Sequence, residues 1–151
     1  MKVYLDSSSL FRLYHTEPGS EELIQFLAEQ KVAKIFLSYI SKIEFESTVW
    51  KKVRTKEIAG ETAIQLIAIF KADYTKFHWV EHSLQTEAQA LDCLNLYGAE
   101  GLRTLDSIHM ASARLVSDVS VLFLTEDKLL KNLFEKEGLK TSVQDITALK
   151  R

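Results

Sequence analysis

The stretch that decides the fold is MKVYLDSSSLFRLYHTEPGSEE, residues 1–22. Within it, Lys2–Leu5 is short and rich in large apolar residues, as is typical of a buried strand, and Asp6 follows directly. An apolar pattern over 11–14 then predicts a helix, which the Pro-Gly pair at 18–19 ends. An acid at the end of a buried strand has two interpretations, because it either caps the next helix or faces a cleft and takes part in chemistry.

The composition is that of one ordinary globular domain spanning residues 1–151. Hydrophobic residues make up 46% of the chain and charged residues 26%, with no linker or repeat. The only cysteine, Cys93, cannot form an internal disulfide and is most simply a packing residue. The net charge of −2 creates no global field that attracts nucleic acid. Since no signal peptide or apolar run of about 20 residues is present, we expect a soluble cytoplasmic protein with no membrane partner.

Strands and helices alternate along the whole chain. Further strands are predicted at Ile35–Leu37, Phe77–Val80 and Val119–Leu124, with a last edge strand at Lys140–Val143. Helices are predicted at 20–27, Ser41–Arg54, Glu61–Tyr74, 84–97 with Leu84, Ala88, Leu91 and Leu94 on its packed face, 104–115 and Glu126–Glu137. This alternation predicts an α/β fold with a mainly parallel sheet of about four to five strands and helices on both faces.

Four acids fall where these strands end or the following helices begin: Asp6, Glu44, Asp106 and Asp127. In a parallel α/β fold such positions converge at the carboxyl edge of the sheet, where ligands bind. Four carboxylates in one small volume repel one another, and a divalent cation removes that cost. Because hard oxygen ligands suit Mg²⁺ or Mn²⁺, the pattern predicts a metal site that activates water for attack on a phosphate ester.

Each acid also has a structural interpretation, and taken singly a cap is the simpler one. Asp6 fits the N-cap of the next helix, and Ser41 with Glu44 matches a capping box. Asp106 and Asp127 lie in positions where an acid complements a helix dipole. Only the predicted convergence of all four acids favours a metal site over capping.

Other polar residues carry weaker signals. Ser7, Ser8 and Ser9 lack a nucleophile-elbow motif and are best placed in a tight turn, with Ser7 or Ser8 as candidates for assisting a metal site. His109 lies one turn after Asp106, where it either orients that acid or touches substrate, although a packing histidine fits equally well.

Two groups of cations are candidates for contact with phosphates. Arg12 lies in the helix after Asp6, and its guanidinium suits a phosphate of RNA. Lys51, Lys52, Arg54 and Lys56 cluster at the end of the Ser41–Arg54 helix, about 15 Å from its start, within reach of a long substrate.

Four stretches together resemble PIN-domain proteins of the VapC toxin type. YLDSSSLFRLYHTEPGSEE resembles the opening motif of that family, and SYISKIEFES its second motif, which selects Glu44 rather than Glu46. LRTLDSIHMASA is similar to the third motif, with Asp106 leading the helix. FLTEDKLLKNLFEKEGL is similar to the fourth, in which Thr125 precedes the acid and Asp127 is selected over Glu126.

The resemblance implies a three-layer α/β/α sandwich with Mg²⁺- or Mn²⁺-dependent endoribonuclease activity. Asp6, Glu44, Asp106 and Asp127 would be its catalytic and metal-binding acids. It also implies the toxin component of a toxin-antitoxin pair, a homodimer that a cognate antitoxin neutralises. The chain departs from the family at Leu133 and Phe134, where small alanines are common, so the packing of that helix is expected to differ.

Two other functions compete with the ribonuclease. A metal phosphatase with an aspartyl nucleophile commonly needs a second acid two residues after the first, where this chain has Ser8. A non-catalytic PIN-like binding module would keep the fold and dock a partner without cleaving it. The presence of all four acids argues against this second alternative.

Overall fold

The computed structural model describes residues 1–142, which form four strands and seven α-helices. The strands are β1 (Lys2–Leu5), β2 (Lys34–Ser38), β3 (His78–Val80) and β4 (Val121–Leu124). The helices are α1 (Ser7–Phe11), α2 (Ser20–Glu29), α3 (Ile40–Arg54), α4 (Gly60–Ala72), α5 (Leu84–Tyr97), α6 (Thr104–Val116) and α7 (Lys128–Lys136), with short 3-10 turns at Tyr74–Lys76 and Gly98–Glu100. Each strand predicted before residue 125 is present, and so is each predicted helix except the first. The helix predicted over 11–14 lies earlier, at Ser7–Phe11, and Arg12 is its C-cap.

All four strands are parallel, in the order β3-β2-β1-β4. The first strand therefore lies between β2 and β4, with Leu5 beside Leu124 at the carboxyl edge. Side chains alternate across β1, so Val3 and Leu5 pack on one face of the sheet and Tyr4 on the other. One core contains residues of α1, α3 and α4, and the opposite core contains residues of α5, α6 and α7. The predicted α/β/α sandwich with a parallel sheet is confirmed.

The predicted packed face of α5 is wrong for three of its four residues, since only Leu94 packs against the core. Leu84 and Leu91 are 85% and 55% exposed, whereas Ala90 and Cys93 are buried against the core. The helix begins at a capping box between Ser83 and Thr86, and its small residues turn toward α6, which it contacts closely. Because α6 also carries small side chains on its buried surface, the two backbones approach in a way that leucines would prevent.

The C-terminal strand predictions need two corrections. The strand predicted from Val119 begins at Val121, since Asp118 accepts the backbone N–H and the hydroxyl of Ser120 in a turn. The predicted edge strand Lys140–Val143 is reduced to a parallel bridge between Leu122 and Lys140, and Val143 lies outside the described residues. Leu133 and Phe134 on α7 are fully buried in the core.

No helix within residues 1–142 is both long enough and apolar enough to cross a membrane.

Candidate active site

The candidate site lies at the carboxyl edge of the sheet, where β1 and β4 end side by side. Asp6 follows β1, and its backbone N–H donates to the carbonyl of Leu124 at 3.3 Å. Thr125 follows β4 and donates its hydroxyl to Asp6 Oδ2 at 2.5 Å. The parallel pairing of these two strands therefore joins the first and the fourth sequence motif directly.

Asp6 is a helix cap and a member of this site at once. Its carboxylate is 5% exposed and caps α1, with Oδ1 accepting the backbone N–H of Ser9 at 3.0 Å. The same oxygen accepts the hydroxyl of Ser8 at 2.8 Å. Capping and chemistry are thus not alternatives at this position, because one carboxylate has room for several hydrogen bonds.

Glu44 does not form the capping box predicted with Ser41. Tyr39 already has helical backbone angles and α3 begins at Ile40, so Ser41 lies inside the helix, fully buried, and cannot act as its N-cap. Glu44 Oε1 instead accepts the Ser7 hydroxyl at 2.7 Å and a hydrogen bond from His109 Nε2 at 2.7 Å. Contacts between helices, rather than local capping, therefore hold this carboxylate.

His109 was predicted beside Asp106, yet its hydrogen-bond partner is Glu44. The imidazole is 2% exposed, and its Nδ1 lies 2.7 Å from the hydroxyl of Tyr4. Burial lowers the pKa of His109, but the hydrogen bond that its ring donates to Glu44 and the negative charges of Glu44, Asp6 and Asp106 outweigh this effect, so the pKa is raised. Sequence patterns did not identify Tyr4, which has the spacing of an ordinary core residue.

Asp106 is partly buried, and its pKa is raised above the ordinary value for aspartate. The largest cause is burial, followed by the negative charge of Asp127; the charges of Asp6 and Glu44 add to it, while His109 opposes them. The charges of the other three predicted acids therefore all raise the pKa of Asp106, as expected for carboxylates gathered at a single sheet edge.

Asp127 caps α7 in the way that its structural interpretation predicted. Its Oδ1 accepts the backbone N–H of Leu130 at 2.8 Å, and its own N–H donates to the Thr125 hydroxyl at 3.1 Å. The residue is exposed at the rim of the site. Of the four acids, Asp127 is the one whose position a local cap explains most fully.

The donor atoms suit Mg²⁺ or Mn²⁺ in chemical type, because all four acids supply hard oxygens and their mutual repulsion calls for a cation. As the side chains are placed, however, no group of three or more His, Cys, Asp or Glu residues within residues 1–142 is arranged to hold a metal ion. The suitability of the site for a divalent cation therefore rests on the type of its donor atoms, which are carboxylate oxygens, and is supported by the raised pKa of Asp106.

Three of the predicted RNA-binding cations, Arg12, Lys51 and Lys52, line a cavity of about 490 Å³, whereas Arg54 and Lys56 do not. Arg12 forms an ion pair with Glu126, and Lys52 pairs with Glu17 at 3.0 Å. Of the four candidate acids, Glu44 alone lines this cavity. Carboxylates therefore already engage two of the three cations that lie beside Glu44.

A parallel α/β/α sandwich with acids at its carboxyl edge defines the class of protein. The PIN domain family model matches residues 3–134, so the chain belongs to the PIN domain family. No curated protein matches the sequence significantly.

The fold is similar to that of VapC20 from Mycobacterium tuberculosis, a sarcin-ricin loop cleaving toxin, with a TM-score of 0.66 and 15% sequence identity over 93% of this chain and 98% of that chain. It is also similar to VapBC2 from Rickettsia felis, whose structure was determined bound to a DNA fragment from the promoter. The TM-score is 0.60, at 15% identity over 87% of this chain and 92% of that chain. At this identity, the likeness concerns the fold.

Proposed function

We propose that this protein is a Mg²⁺- or Mn²⁺-dependent endoribonuclease and the toxin component of a toxin-antitoxin pair. The observation that carries the proposal is the meeting of the motifs at the carboxyl edge of the sheet, where Asp6 accepts the hydroxyl of Thr125 and Glu44 accepts the hydroxyl of Ser7. The raised pKa of Asp106, caused first by burial and then by the charges of Asp127, Asp6 and Glu44, supports it. Membership of the PIN domain family and the fold shared with two toxin-antitoxin proteins support a nuclease. A cytoplasmic location, where the RNA substrate would be met, is part of the proposal.

Asp6 and Asp106 would be the principal ligands of the cation, and Glu44 and Asp127 would complete the site directly or through water. The bound cation would lower the pKa of a water molecule and stabilise the charge that develops on the phosphate. Hydrogen bonds from Ser8 and Thr125 hold the Asp6 carboxylate in place. Such support matters because a displaced ligand loses much of its catalytic value.

The residues around Glu44 complete the arrangement. Ser7 and His109 hold Glu44 Oε1 from two sides. Arg12 and Lys51 line the adjoining cavity, where their charges would bind phosphates of the RNA backbone on either side of the cleaved bond.

The proposed partners follow from the same assignment. A cognate antitoxin and a second copy of the chain would cover part of the surface.

The first test is cleavage of RNA by the purified protein. We expect internal cuts in a long RNA with Mg²⁺ or Mn²⁺, complete loss with excess chelator and recovery when metal is restored. Release of phosphate from a small phosphate ester in the absence of RNA cleavage would instead indicate the phosphatase. If calorimetry detects no Mn²⁺ binding at millimolar metal, the binding module would be favoured.

The second test separates the two roles of Asp127. Asparagine caps a helix as well as aspartate does, whereas alanine costs about 1 kcal/mol at an N-cap. We therefore expect Asp127→Asn to keep the stability of the parent but to lose cleavage activity through the missing charge. Asp127→Ala should lose both, as measured by urea unfolding and by RNA cleavage. If Asp127→Asn is fully active, Asp127 is a cap alone.

A further inference from the structure

A buried hydrogen-bonded chain leads from the core to the site. Tyr4, in the middle of β1, is fully buried, and its hydroxyl lies 2.7 Å from His109 Nδ1. The other ring nitrogen, Nε2, lies 2.7 Å from Glu44 Oε1. Strand β1 and helices α6 and α3 each supply one of these three hydrogen-bonded residues. Any buried histidine needs partners for its ring nitrogens, and here one of the partners is a candidate catalytic acid.

The two shortest polar contacts of His109, to Tyr4 and Glu44, assign its tautomer, while the Ser7 hydroxyl lies farther from Nε2, at 3.4 Å. An ionised carboxylate only accepts hydrogen bonds, so the proton on the Glu44 side must be carried by Nε2. In the neutral ring, Nδ1 is then an acceptor and takes the hydroxyl proton of Tyr4. In the charged ring, Nδ1 donates to the same oxygen. In both charge states Tyr4 keeps Nε2–H directed at Glu44, so the arrangement does not depend on titration of the imidazole.

This arrangement also distinguishes the two oxygens of Glu44. Both hydrogen bonds to its side chain, from Ser7 and His109, fall on Oε1. Glu44 Oε2 forms no hydrogen bond or ion pair with any group of residues 1–142. Glu44 lines the same cavity as Arg12 and Lys51. The residue with the unengaged Oε2 is therefore one that borders this cavity.

We propose that Tyr4 and His109 are positioning residues that fix Glu44 through Oε1 and thereby leave Oε2 for the reaction. The inference rests on the proposed function of this site and extends it to a residue of the core. Tyr4 touches no reacting atom in this scheme and acts only through the orientation of the imidazole. Comparable partners of metal ligands contribute about 10- to 100-fold to activity or metal affinity.

The experiment compares Tyr4→Phe with Tyr14→Phe. Each substitution removes one phenol hydroxyl and one hydrogen bond, since Tyr14 donates to Asp73 at 2.9 Å. We expect Tyr4→Phe to lower kcat for RNA cleavage about 10-fold or more with KM nearly unchanged, and to weaken Mn²⁺ binding. Tyr14→Phe should leave all three quantities unchanged. Nitrogen-15 NMR of the His109 ring should show a single Nε2–H form in the parent and a mixture of forms in Tyr4→Phe.

Variants of His109 provide a rescue test. His109→Gln keeps an N–H donor that can reach Glu44, whereas His109→Leu has similar bulk without the donor. We expect His109→Gln to retain clearly more activity and Mn²⁺ affinity than His109→Leu. Equal losses in the two variants would show that the imidazole acts by packing, and would overturn the inference.

The outcomes also separate this inference from the proposed function. If Tyr4→Phe matches the parent in kcat, in Mn²⁺ affinity and in the NMR spectrum of His109, the positioning role is wrong even though the nuclease stands. Losses of the same size in Tyr14→Phe would overturn it as well. If the parent neither cleaves RNA nor binds Mn²⁺, the proposed function fails. The NMR comparison would then decide by itself whether Tyr4 sets the tautomer of His109.

Discussion

Replacing Asp106 with asparagine is expected to reduce metal-dependent RNA cleavage by about 1,000-fold or more while making the folded protein more stable. The loss of activity corresponds to several kcal/mol of transition-state stabilisation that a bound cation supplies. The gain in stability comes from removing a charge that burial and three neighbouring carboxylates disfavour. Activity and stability should thus change in opposite directions.

The pH dependence follows from the direction of the pKa shift. The pKa of Asp106 is raised in the folded protein, so the folded state holds its proton more tightly than the unfolded chain does. Stability therefore falls as the pH rises from the unfolded pKa, near 3.9, through the folded pKa, and changes no further above it. Without metal, the Tm of Asp106→Asn should exceed that of the parent by a margin that grows from pH 3.5 upward.

Asp118→Asn is the matched control, because its expected sign is opposite. Hydrogen bonds from the Ser120 hydroxyl and from Lys2 lower the pKa of Asp118 to about 2. Its contribution to stability is present above the unfolded pKa and is lost as the pH falls through the folded pKa. Asp118→Asn should lower the Tm at neutral pH and match the parent in strong acid. An Asp106→Asn variant that is less stable than the parent, or that cleaves RNA at the parental rate, would contradict the assignment.

The largest loss of stability is expected from Phe45→Ala. The Phe45 ring is 1% exposed, and its centroid lies 4.2 Å from that of Phe70 and 5.4 Å from those of Phe11 and Tyr14. It therefore joins α3 to α1 and α4 within one core. Removing such a buried ring costs about 3–5 kcal/mol through lost transfer free energy and the cavity left behind. Urea unfolding at constant metal concentration measures the change.

Trp50→Ala provides the comparison on the same helix. Trp50 is also aromatic but is 40% exposed, so its replacement should cost less than about 1 kcal/mol. If the two variants lose equal stability, helix propensity rather than core packing would account for the effect. A cost below about 1 kcal/mol for Phe45→Ala would mean that the aromatic core closes around the missing ring.

Local patterns predicted the elements of this fold well, for a physical reason. A short, mainly apolar run such as that of β1 is buried on both faces of a parallel sheet, and the alternation with helices leaves few other architectures. The acids could be located for the same reason, since strand ends of a parallel sheet share one edge. What remains a prediction is the role of these acids in binding a cation and cleaving RNA.

Contacts between elements that are distant in sequence could not be predicted from local sequence patterns. Nothing near Ser41 shows that α3 begins at Ile40, because the helical conformation of Tyr39 is set by the chain leaving β2. The exposure of Leu84 follows from the close approach of α5 to α6, a tertiary effect that overrides amphipathic spacing. Likewise, the contact of Tyr4 with His109 joins residues 105 positions apart.

The place of β1 between β2 and β4 also has a consequence for biosynthesis. Leu124 and Thr125, the neighbours of Asp6, are translated more than a hundred residues after it. Pairings so distant in sequence form late, because the intervening chain must close a long loop. A nascent chain that stops short of β4 therefore cannot assemble the carboxyl edge of the sheet, where the candidate site lies.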